Sequence, residues 1–300
     1  MPLEFKGLKA GKDRGWITSM SANQTKTLSS TPERDVLVVI QARLGSTRLP
    51  NKVMMPLMGE PLLVRMVERV LRAELVNEVV IATTELSEDD PIEKICKEKR
   101  WPCFRGHPTD LLDRHYHAAL NLTANHVAKI PSDVPLIDPS VIDQVLGVYL
   151  KQLPKYDYVS NLHPETFPYG QDVEVMSFDV LKQAYEEATQ GYEREHTTPF
   201  IWSHPERYSI ENVTWETGKD FSKSHRWTID YPEDYEFISK VYDALYPENP
   251  NFGMKEILSL LDQNPEIGKI NQNRVGSHWM NQHADVFRSQ PKEGTVSEQT

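Results

Sequence analysis

The amino-acid sequence predicts an α/β fold, in which a mostly parallel sheet carries helices on both faces. Residues 36–40, VLVVI, form a continuous β-branched apolar run of the kind found in buried parallel strands. Further short apolar runs alternate along the chain with segments whose apolar residues recur at helical spacing. This alternation builds right-handed βαβ units, in which successive strands lie parallel.

The predicted strands and helices lie between residues 36 and 245. Strands are expected at residues 36–40, 79–82, 126–130, 156–160, 172–176 and 226–229. Helices are expected at residues 61–75, 92–99, 111–122, 139–152, 179–188 and 232–245, and another helical stretch is expected to open at Arg194. Because ligands of open α/β sheets bind beyond the carboxyl ends of strands, the loops that follow these strands are the candidate functional segments.

One large domain, residues 35–272, is expected between two polar tails. A chain of 300 residues with 39% hydrophobic content can bury one sizeable core, and no Gly/Ser-rich or Pro-rich linker divides its middle. Residues 1–34 show no sustained apolar period, which predicts a flexible tail. Residues 273–300 are similarly polar and are predicted to form a second tail.

Charge and cysteine content narrow the functional class. With 33 basic and 44 acidic residues, the net charge of -11 argues against broad nucleic-acid binding, so an anionic substrate would need a local basic patch. Cys96 and Cys103 form neither a CxxC pair nor a disulfide framework, which predicts a reducing, cytoplasmic environment. The sequence contains no long apolar run and no hydrophobic signal core, so neither membrane insertion nor export is expected.

The loop after the first predicted strand is basic. Residues 41–52, QARLGSTRLPNK, contain Arg43, Arg48 and Lys52 and no acidic residue. A triphosphate requires point charges and fork-shaped donors, which these side chains can supply. A solvated surface loop is the alternative, but the position after a buried strand favours phosphate binding. The sequence lacks both G-x-G-x-x-G and G-x-x-x-x-G-K-[ST], which argues against a dinucleotide fold and a P-loop NTPase.

Two aspartates are candidate ligands for Mg²⁺. Asp133 follows the third predicted strand, and Asp230 ends a much later one. Mg²⁺ is usually held by one or two carboxylates together with substrate phosphates. Singly, each aspartate could equally be a turn or capping residue, as is expected of Asp138 before Pro139. As a pair they predict a metal site, because two converging carboxylates repel each other unless a cation lies between them.

A third loop, residues 105–114, could line the base and ribose of a nucleotide. The alternative is a turn in which Asp110 caps the helix that follows. Two further groups are candidates for binding an acceptor. Asp172 and Glu174 alternate on one face of a predicted strand, and Arg194 and His196 lie in a predicted helical stretch. Surface salt bridges are the alternative for both groups.

Four of these segments together resemble a known family. Residues 41–52 are similar to the signature A-R-x-x-S-x-R-L-P-x-K, and residues 105–114, 133–138 and 230–234 resemble the elements R-G-x-x-x-D-x-L-D-R, D-x-P-L-I-D and D-x-P-E-D. These patterns resemble the cytidylyltransferases that include the spore-coat polysaccharide protein SpsF and, more distantly, the CMP-KDO and CMP-sialic acid synthetases. The resemblance runs from about Asp35 to Leu261.

The resemblance implies a nucleotide-diphosphosugar transferase fold of the GT-A, Rossmann-like type and possible homodimers. It also implies that Arg43, Ser46 and Lys52 handle the triphosphate and that Asp133 and Asp230 hold Mg²⁺. The predicted catalytic residues are Arg43, Lys52, Asp133 and Asp230. The predicted nucleotide-binding residues are Ala42, Arg43, Gly45, Ser46, Arg48, Lys52, Thr83, Arg105, Asp110 and Arg114. The predicted acceptor-binding residues are Asp172, Glu174, Arg194 and His196.

The expected activity is transfer of CMP from CTP to a sugar acid with release of pyrophosphate, in surface polysaccharide or glycan biosynthesis. One rival is a glycosyltransferase of the same fold, and the three cations of the basic loop favour a triphosphate over its nucleotide-sugar substrate. The other rival is a non-catalytic nucleotide-binding module, which would bind CTP without releasing pyrophosphate.

Overall fold

The computed structural model describes residues 35–277. Residues 1–34, predicted as the first tail, lie outside these residues, as do residues 278–300 of the second. The strands are β1 (Val36–Gln41), β2 (Pro56–Leu57), β3 (Glu60–Pro61), β4 (Glu78–Thr84), β5 (Cys103–Gly106), β6 (His126–Pro131), β7 (Tyr158–Ser160), β8 (Glu174–Ser177) and β9 (Ile210–Asn212). The α-helices are α1 (Leu62–Val70), α2 (Asp90–Lys99), α3 (Leu111–Asn121), α4 (Pro139–Lys151), α5 (Phe178–Glu187), α6 (Gly191–His196), α7 (Pro199–Trp202), α8 (Pro232–Leu245), α9 (Met254–Gln263) and α10 (Pro265–Lys269).

The main sheet has seven strands in the order β5-β4-β1-β6-β8-β7-β9. Strands β5, β4, β1 and β6 pair in parallel, and β7 pairs in parallel with β9. Strand β8 runs antiparallel to both of its neighbours, β6 and β7. The other six strands therefore run in one direction, and the prediction of a mostly parallel sheet is confirmed.

Helices cover both faces of this sheet, as predicted. Val36, Val38 and Ile40 pack in one core cluster with residues of α1 and α4, whereas Leu37 and Val39 pack in another with residues of α3 and α5. A strand buried on both faces needs apolar residues at every position, which explains the unbroken run in β1. Full burial of each such side chain stabilises the folded state by roughly 1.5–3 kcal/mol, so β1 holds the beginning of the loop that follows it in place.

The predicted strand at residues 226–229 is wrong. This segment is extended, but its contact with a strand-like partner is a single isolated bridge between Arg226 and Tyr169. Its backbone donors bond to two loops instead: Trp227 N donates to the carbonyl of Tyr169 at 2.7 Å, and Ile229 N donates to that of Asp133 at 2.8 Å. An apolar, β-branched sequence predicts extended backbone, yet it does not reveal whether the partner is a strand or a loop.

Several helix boundaries also differ from prediction. The helix predicted at 61–75 is α1, which ends at Val70, and the carboxylate of Asp143 then accepts hydrogen bonds from the N–H groups of Glu74 and Leu75. Arg194 does not open a helix, because it lies in the last turn of α6. Helix α6 contains residues 194–196, where a helical stretch was expected, but it begins three residues earlier. Strands β5 and β9 and helices α7, α9 and α10 were not among the predicted elements. Every helix within residues 35–277 is too short or too polar to cross a membrane.

Candidate active site

A cavity of about 660 Å³ lies along the edge of the sheet where β1, β6 and β7 end and β8 begins. The predicted site residues that line it are Ala42, Arg43, Ser46, Arg48, Lys52, Arg114, Asp133, Asp172, Glu174, His196 and Asp230. The predicted site residues that do not line it are Gly45, Thr83, Arg105, Asp110 and Arg194. The basic loop, both aspartates and part of the predicted acceptor set therefore meet in one space.

The basic loop after β1 is held by a buried aspartate that the sequence did not single out. Asp89 is fully buried and accepts a hydrogen bond from Leu44 N at 2.7 Å and another from the hydroxyl of Thr84. The carbonyl of Leu44 in turn accepts from Ser46 N at 2.7 Å and from Asn51 N at 3.1 Å. These bonds fold residues 44–51 into a compact turn, and Arg48 within it and Arg43 and Lys52 beside it line the cavity.

Lys52 lies between the two predicted metal ligands. Its Nζ donates to Asp133 Oδ2 at 2.6 Å, to the carbonyl of Ile229 at 2.8 Å and to Asp230 Oδ1 at 3.1 Å. An ammonium has three N–H groups, so these three acceptors use all of them. Burial lowers the pKa of Lys52, but the charges of Asp133 and Asp230 outweigh burial and leave the pKa above its ordinary value.

Asp230 receives two more cations. Arg48 Nη2 lies 2.6 Å from Asp230 Oδ1, and Arg226 Nη2 lies 3.1 Å from Oδ2. Burial raises the pKa of the Asp230 carboxyl, but Lys52 and Arg48 hold it well below its ordinary value. The charge on Asp230 is therefore balanced within the protein before any ligand binds.

The segment that carries Asp230 is placed by a glycine and a buried aspartate. Gly170 has φ +110°, and a Cβ there would lie 2.8 Å from the carbonyl of Trp227, so the loop can approach this segment only without a side chain. Asp234, in the first turn of α8, accepts from Asp230 N and Tyr231 N, each at 3.0 Å. The second aspartate of the D-x-P-E-D element thus fixes the backbone of the first.

Arg43 of the basic loop and Arg114 of α3 both line the cavity, and neither forms an ion pair among the described residues. Arg114 is 1% exposed, and its Nε and one Nη have no hydrogen-bond partner in this part of the chain. Burial, together with the nearby charge of Arg43, lowers the pKa of Arg114 to about 10. A buried guanidinium with unused donors is costly unless an acceptor approaches, so this wall suits an anionic or carbonyl-bearing ligand.

The opposite wall, over β8 and β7, contains a buried ion pair. Lys129 and Glu174 are paired neighbours in the β6–β8 ladder, and Lys129 Nζ lies 2.5 Å from Glu174 Oε1. The hydroxyl of Tyr158 donates to the other carboxylate oxygen at 2.5 Å. Burial raises the pKa of Glu174, but Lys129 outweighs it and keeps the pKa below its ordinary value. Glu174 is therefore a charged group with fixed geometry and not a surface residue.

Two further carboxyl groups of this wall have pKa values near neutrality. Burial raises the pKa of Asp172 to about 7, with the charges of Asp133 and Glu174 adding to the effect. Burial, together with the charge of Asp172, likewise raises the pKa of Glu165 to about 8. Near pH 7 these two carboxyl groups are therefore partly protonated.

Three of the predicted site residues outside the cavity, Arg105, Asp110 and Arg194, form structural contacts. Arg105 Nη1 pairs with Asp90 at 2.6 Å and Glu93 at 2.8 Å. Asp110 caps α3 by accepting from Asp113 N, and its other oxygen lies 2.6 Å from Arg194 Nη2. Asp110 is therefore a helix cap, as the alternative interpretation predicted, and Arg194 is its ion-pair partner.

Several lining residues were missed from the sequence. His163, Glu165, Tyr169 and Trp202 line the cavity but belong to loops and a short helix without a recognisable spacing. Lys129 also lines it, and here a signal existed. A lysine inside the otherwise apolar strand HVAKIP is expensive to bury unless it is paired, which marks it as a functional candidate.

The arrangement of carboxylates fits a magnesium ion bound together with phosphates. No cluster of three or more His, Cys, Asp and Glu side chains placed to bind a metal occurs within residues 35–277. However, Asp133 and Asp230 each contact the same ammonium, so both already face a common cation position. Because Mg²⁺ takes one or two carboxylates and completes its shell with phosphates and water, this pair is sufficient.

The chain is similar to several known proteins. Residues 37–266, which include the basic loop and both aspartates, match the cytidylyltransferase family. The spore coat polysaccharide biosynthesis protein SpsF of Bacillus subtilis is 32% identical over 238 residues, covering 77% of this chain and 96% of that protein. A solved cytidylyltransferase from Leptospira borgpetersenii shares 31% identity with a TM-score of 0.73, covering 78% of this chain and 96% of its own. A 3-deoxy-manno-octulosonate cytidylyltransferase of Polynucleobacter necessarius is 43% identical over 118 residues, which cover 37% of this chain and 44% of that enzyme.

Proposed function

The chain belongs to the cytidylyltransferase family, and from that premise we propose that it transfers CMP from CTP to a hydroxyl group of a sugar acid. The observation that carries the proposal is the meeting, in one cavity, of the basic loop with Asp133 and Asp230. The names of two relatives, a spore coat polysaccharide biosynthesis protein and a 3-deoxy-manno-octulosonate cytidylyltransferase, support an acidic sugar and a role in polysaccharide biosynthesis.

In the proposed reaction the acceptor oxygen attacks the α-phosphorus of CTP. The bond from this phosphorus to the bridging oxygen breaks, pyrophosphate leaves with the electron pair, and the acceptor hydroxyl loses its proton. Such transfers need positioning and charge neutralisation more than covalent help from the protein. Arg43, Ser46 and Lys52 bind the triphosphate in this proposal, and Arg43 and Lys52 stabilise the charge on the departing pyrophosphate.

Asp133 and Asp230 are the proposed ligands of Mg²⁺. When bound, the ion would withdraw charge from the α-phosphate and make the phosphorus a better electrophile. Arg226 holds the second oxygen of Asp230, and Asp234 holds the backbone beside it, so the carboxylate keeps its direction when its partners change. Dimer formation and a cytoplasmic location stay predictions from the sequence.

The two walls suit different parts of the substrates. Arg43 and Arg114 lie by the basic loop and can contact the nucleotide or the carboxylate of the acceptor. Asp172 and Glu174 lie on the opposite wall, where carboxylate oxygens can accept hydrogen bonds from sugar hydroxyls. His196 lines the same cavity and is kept as an acceptor-binding candidate.

Pyrophosphate release from a panel of nucleoside triphosphates and acceptors tests the proposal. The acceptors are a 3-deoxyulosonate, a nonulosonate, a smaller sugar acid and a neutral sugar, each with and without Mg²⁺. We expect release with CTP, Mg²⁺ and at least one sugar acid. Pyrophosphate release with the neutral sugar but with none of the sugar acids would refute the acidic acceptor and leave cytidylyl transfer standing. CTP binding without pyrophosphate release under any condition would refute the transfer itself.

A further inference from the structure

Lys52 cannot bind a phosphate in the arrangement described here. Its three donors are used by Asp133, Asp230 and the carbonyl of Ile229, and the side chain is only 12% exposed. The role proposed for Lys52 in binding the triphosphate therefore requires it to leave the two carboxylates first. The same carboxylates are the proposed ligands of the metal, so the ammonium and the metal would occupy one position.

The cations around Asp230 come from two parts of the chain and contact different oxygens of its carboxylate. Lys52 and Arg48 both come from the basic loop and both contact Oδ1, and the Arg48 side chain is 38% exposed. Arg226 contacts Oδ2, is almost fully buried, and is also bound by Asp234 at 2.9 Å. A triphosphate entering the cavity can thus attract the two loop cations, whereas Arg226 stays and keeps Asp230 oriented.

We propose that Lys52 is an internal stand-in for the divalent cation, which it excludes from Asp133 and Asp230 until a triphosphate draws the lysine away. The inference rests on the proposed function, because it requires the two aspartates to be the metal site. Its consequence is that divalent ion and triphosphate bind cooperatively, each raising the affinity for the other by the same factor. Coupling between two sites of this kind is typically about 5-fold to 150-fold.

Titration of Mn²⁺, followed by the loss of the free-ion electron paramagnetic resonance signal, tests the proposal on the full-length protein without nucleotide. The parent protein should bind Mn²⁺ weakly, and Lys52→Met should bind it at least about tenfold more tightly, within the range expected for such coupling. Lys99→Met, which removes a lysine paired with Glu60 outside the cavity, is the matched control and should behave like the parent. The double variant Lys52→Met/Asp133→Asn should lose the gain.

The outcomes separate this inference from the proposed function. If Asp133→Asn abolishes Mn²⁺ binding by the parent but Lys52→Met binds no more tightly, the aspartates hold metal and the stand-in role is wrong. If Mn²⁺ binding never depends on Asp133, even with a non-hydrolysable CTP analogue present, the proposed metal site itself is wrong, and the inference falls with it.

A measurement on the parent protein decides the matter if Lys52→Met does not fold. Thermal unfolding is followed with Mn²⁺ alone, with α,β-methylene-CTP alone and with both. The proposal expects no shift in the midpoint with Mn²⁺ alone, and a shift with both that exceeds the sum of the separate shifts. A shift with Mn²⁺ alone that equals the shift with both would overturn it.

Discussion

The two ends of the cavity differ in their charge balance. At the end over β1, the guanidinium groups of Arg43 and Arg114 have no acidic partner among the described residues. At the end over β8 and β7, the lining carboxyl groups outnumber Lys129, which is already paired with Glu174. One end is therefore incomplete without an anion or a carbonyl, whereas the other offers acceptors for hydroxyl groups. A substrate pair with phosphates at one end and a polyhydroxylated chain at the other complements both.

Asp133 lies between the two ends, after β6, and its removal should have the largest effect. Asp133→Asn keeps the shape of the side chain but deletes one proposed metal ligand, so we expect turnover to fall by about a hundredfold or more. Pyrophosphate release measures the change, with circular dichroism to confirm folding. Asp262→Asn, the same substitution at an exposed position far along the chain, is the matched control. Equal turnover in Asp133→Asn and the parent would show that Asp133 is not a metal ligand needed between the two ends of the cavity.

Arg114→Met should separate binding from stability at the basic end. The loss of charged hydrogen bonds to the nucleotide, worth about 1.5–3 kcal/mol, should weaken CTP binding by roughly 10-fold to 100-fold. The thermal midpoint should stay the same or rise, because the variant no longer buries an unpaired charge. Isothermal titration calorimetry and thermal unfolding measure the two effects. A lower midpoint with unchanged CTP affinity would show that the guanidinium is a structural group.

Asp172→Asn probes the acidic end through pH. The pKa of Asp172 rises from an ordinary value of 3.8 to about 7 in the folded protein, so between these values the folded state binds more protons than the unfolded state. Stability from this group is complete below about pH 4 and is lost as the pH rises towards 7. Without metal, Asp172→Asn should therefore be more stable than the parent at pH 8 by up to about 4 kcal/mol, and the advantage should vanish at pH 4.

Urea unfolding at pH 4, 6 and 8 in the presence of a chelator measures this difference. The substitution Asp262→Asn again controls for the loss of one negative charge. An Asp172→Asn variant that is less stable than the parent at pH 8 would mean that the carboxylate is favourably paired in solution, and the contrast between the two ends would be weaker than the geometry indicates.

Arg105→Met should have the smallest effect on CTP binding, because Arg105 lies outside the basic end of the cavity. Arg105 pairs with Asp90 and Glu93 and does not line the cavity, so we expect CTP affinity within twofold of the parent. Loss of its partly exposed ion pairs should cost about 1 kcal/mol of stability. Measured beside Arg114→Met, a large loss of CTP affinity here would extend the nucleotide site beyond the cavity.

The central sheet could be predicted because its strands carry the strongest local signals. Strands β1, β4 and β6 are short apolar runs buried on both faces, and this pattern is visible without any partner. Strands β5 and β9 are four and three residues long and contain charged residues, so their pairing depends on neighbours far along the chain. Residues 226–229 gave the opposite error, a predicted strand that is absent, because their backbone N–H groups bond to loop carbonyls and not to a strand.

The site was predictable in its residue types but not in its contacts. Ligands of open α/β sheets bind in the loops that follow buried strands, and this rule selected Arg43, Lys52 and Asp133, which line the cavity. Lys52 contacts Asp230, which is 178 residues away in the sequence, and no local sequence pattern predicts such a contact. The same holds for Arg105 and Arg194, whose acidic partners only the folded chain reveals.

Because the charge of Asp230 is balanced by side chains of its own chain, folding does not require a bound divalent ion. A carboxylate pair that depended on a bound ion would make a newly synthesised chain wait for that ion, as small metallodomains do. Here the carboxylate of Asp230 already meets an ammonium and two guanidinium groups of its own chain. These contacts need no divalent ion, so on the proposed function a chelator should abolish activity and leave the protein folded.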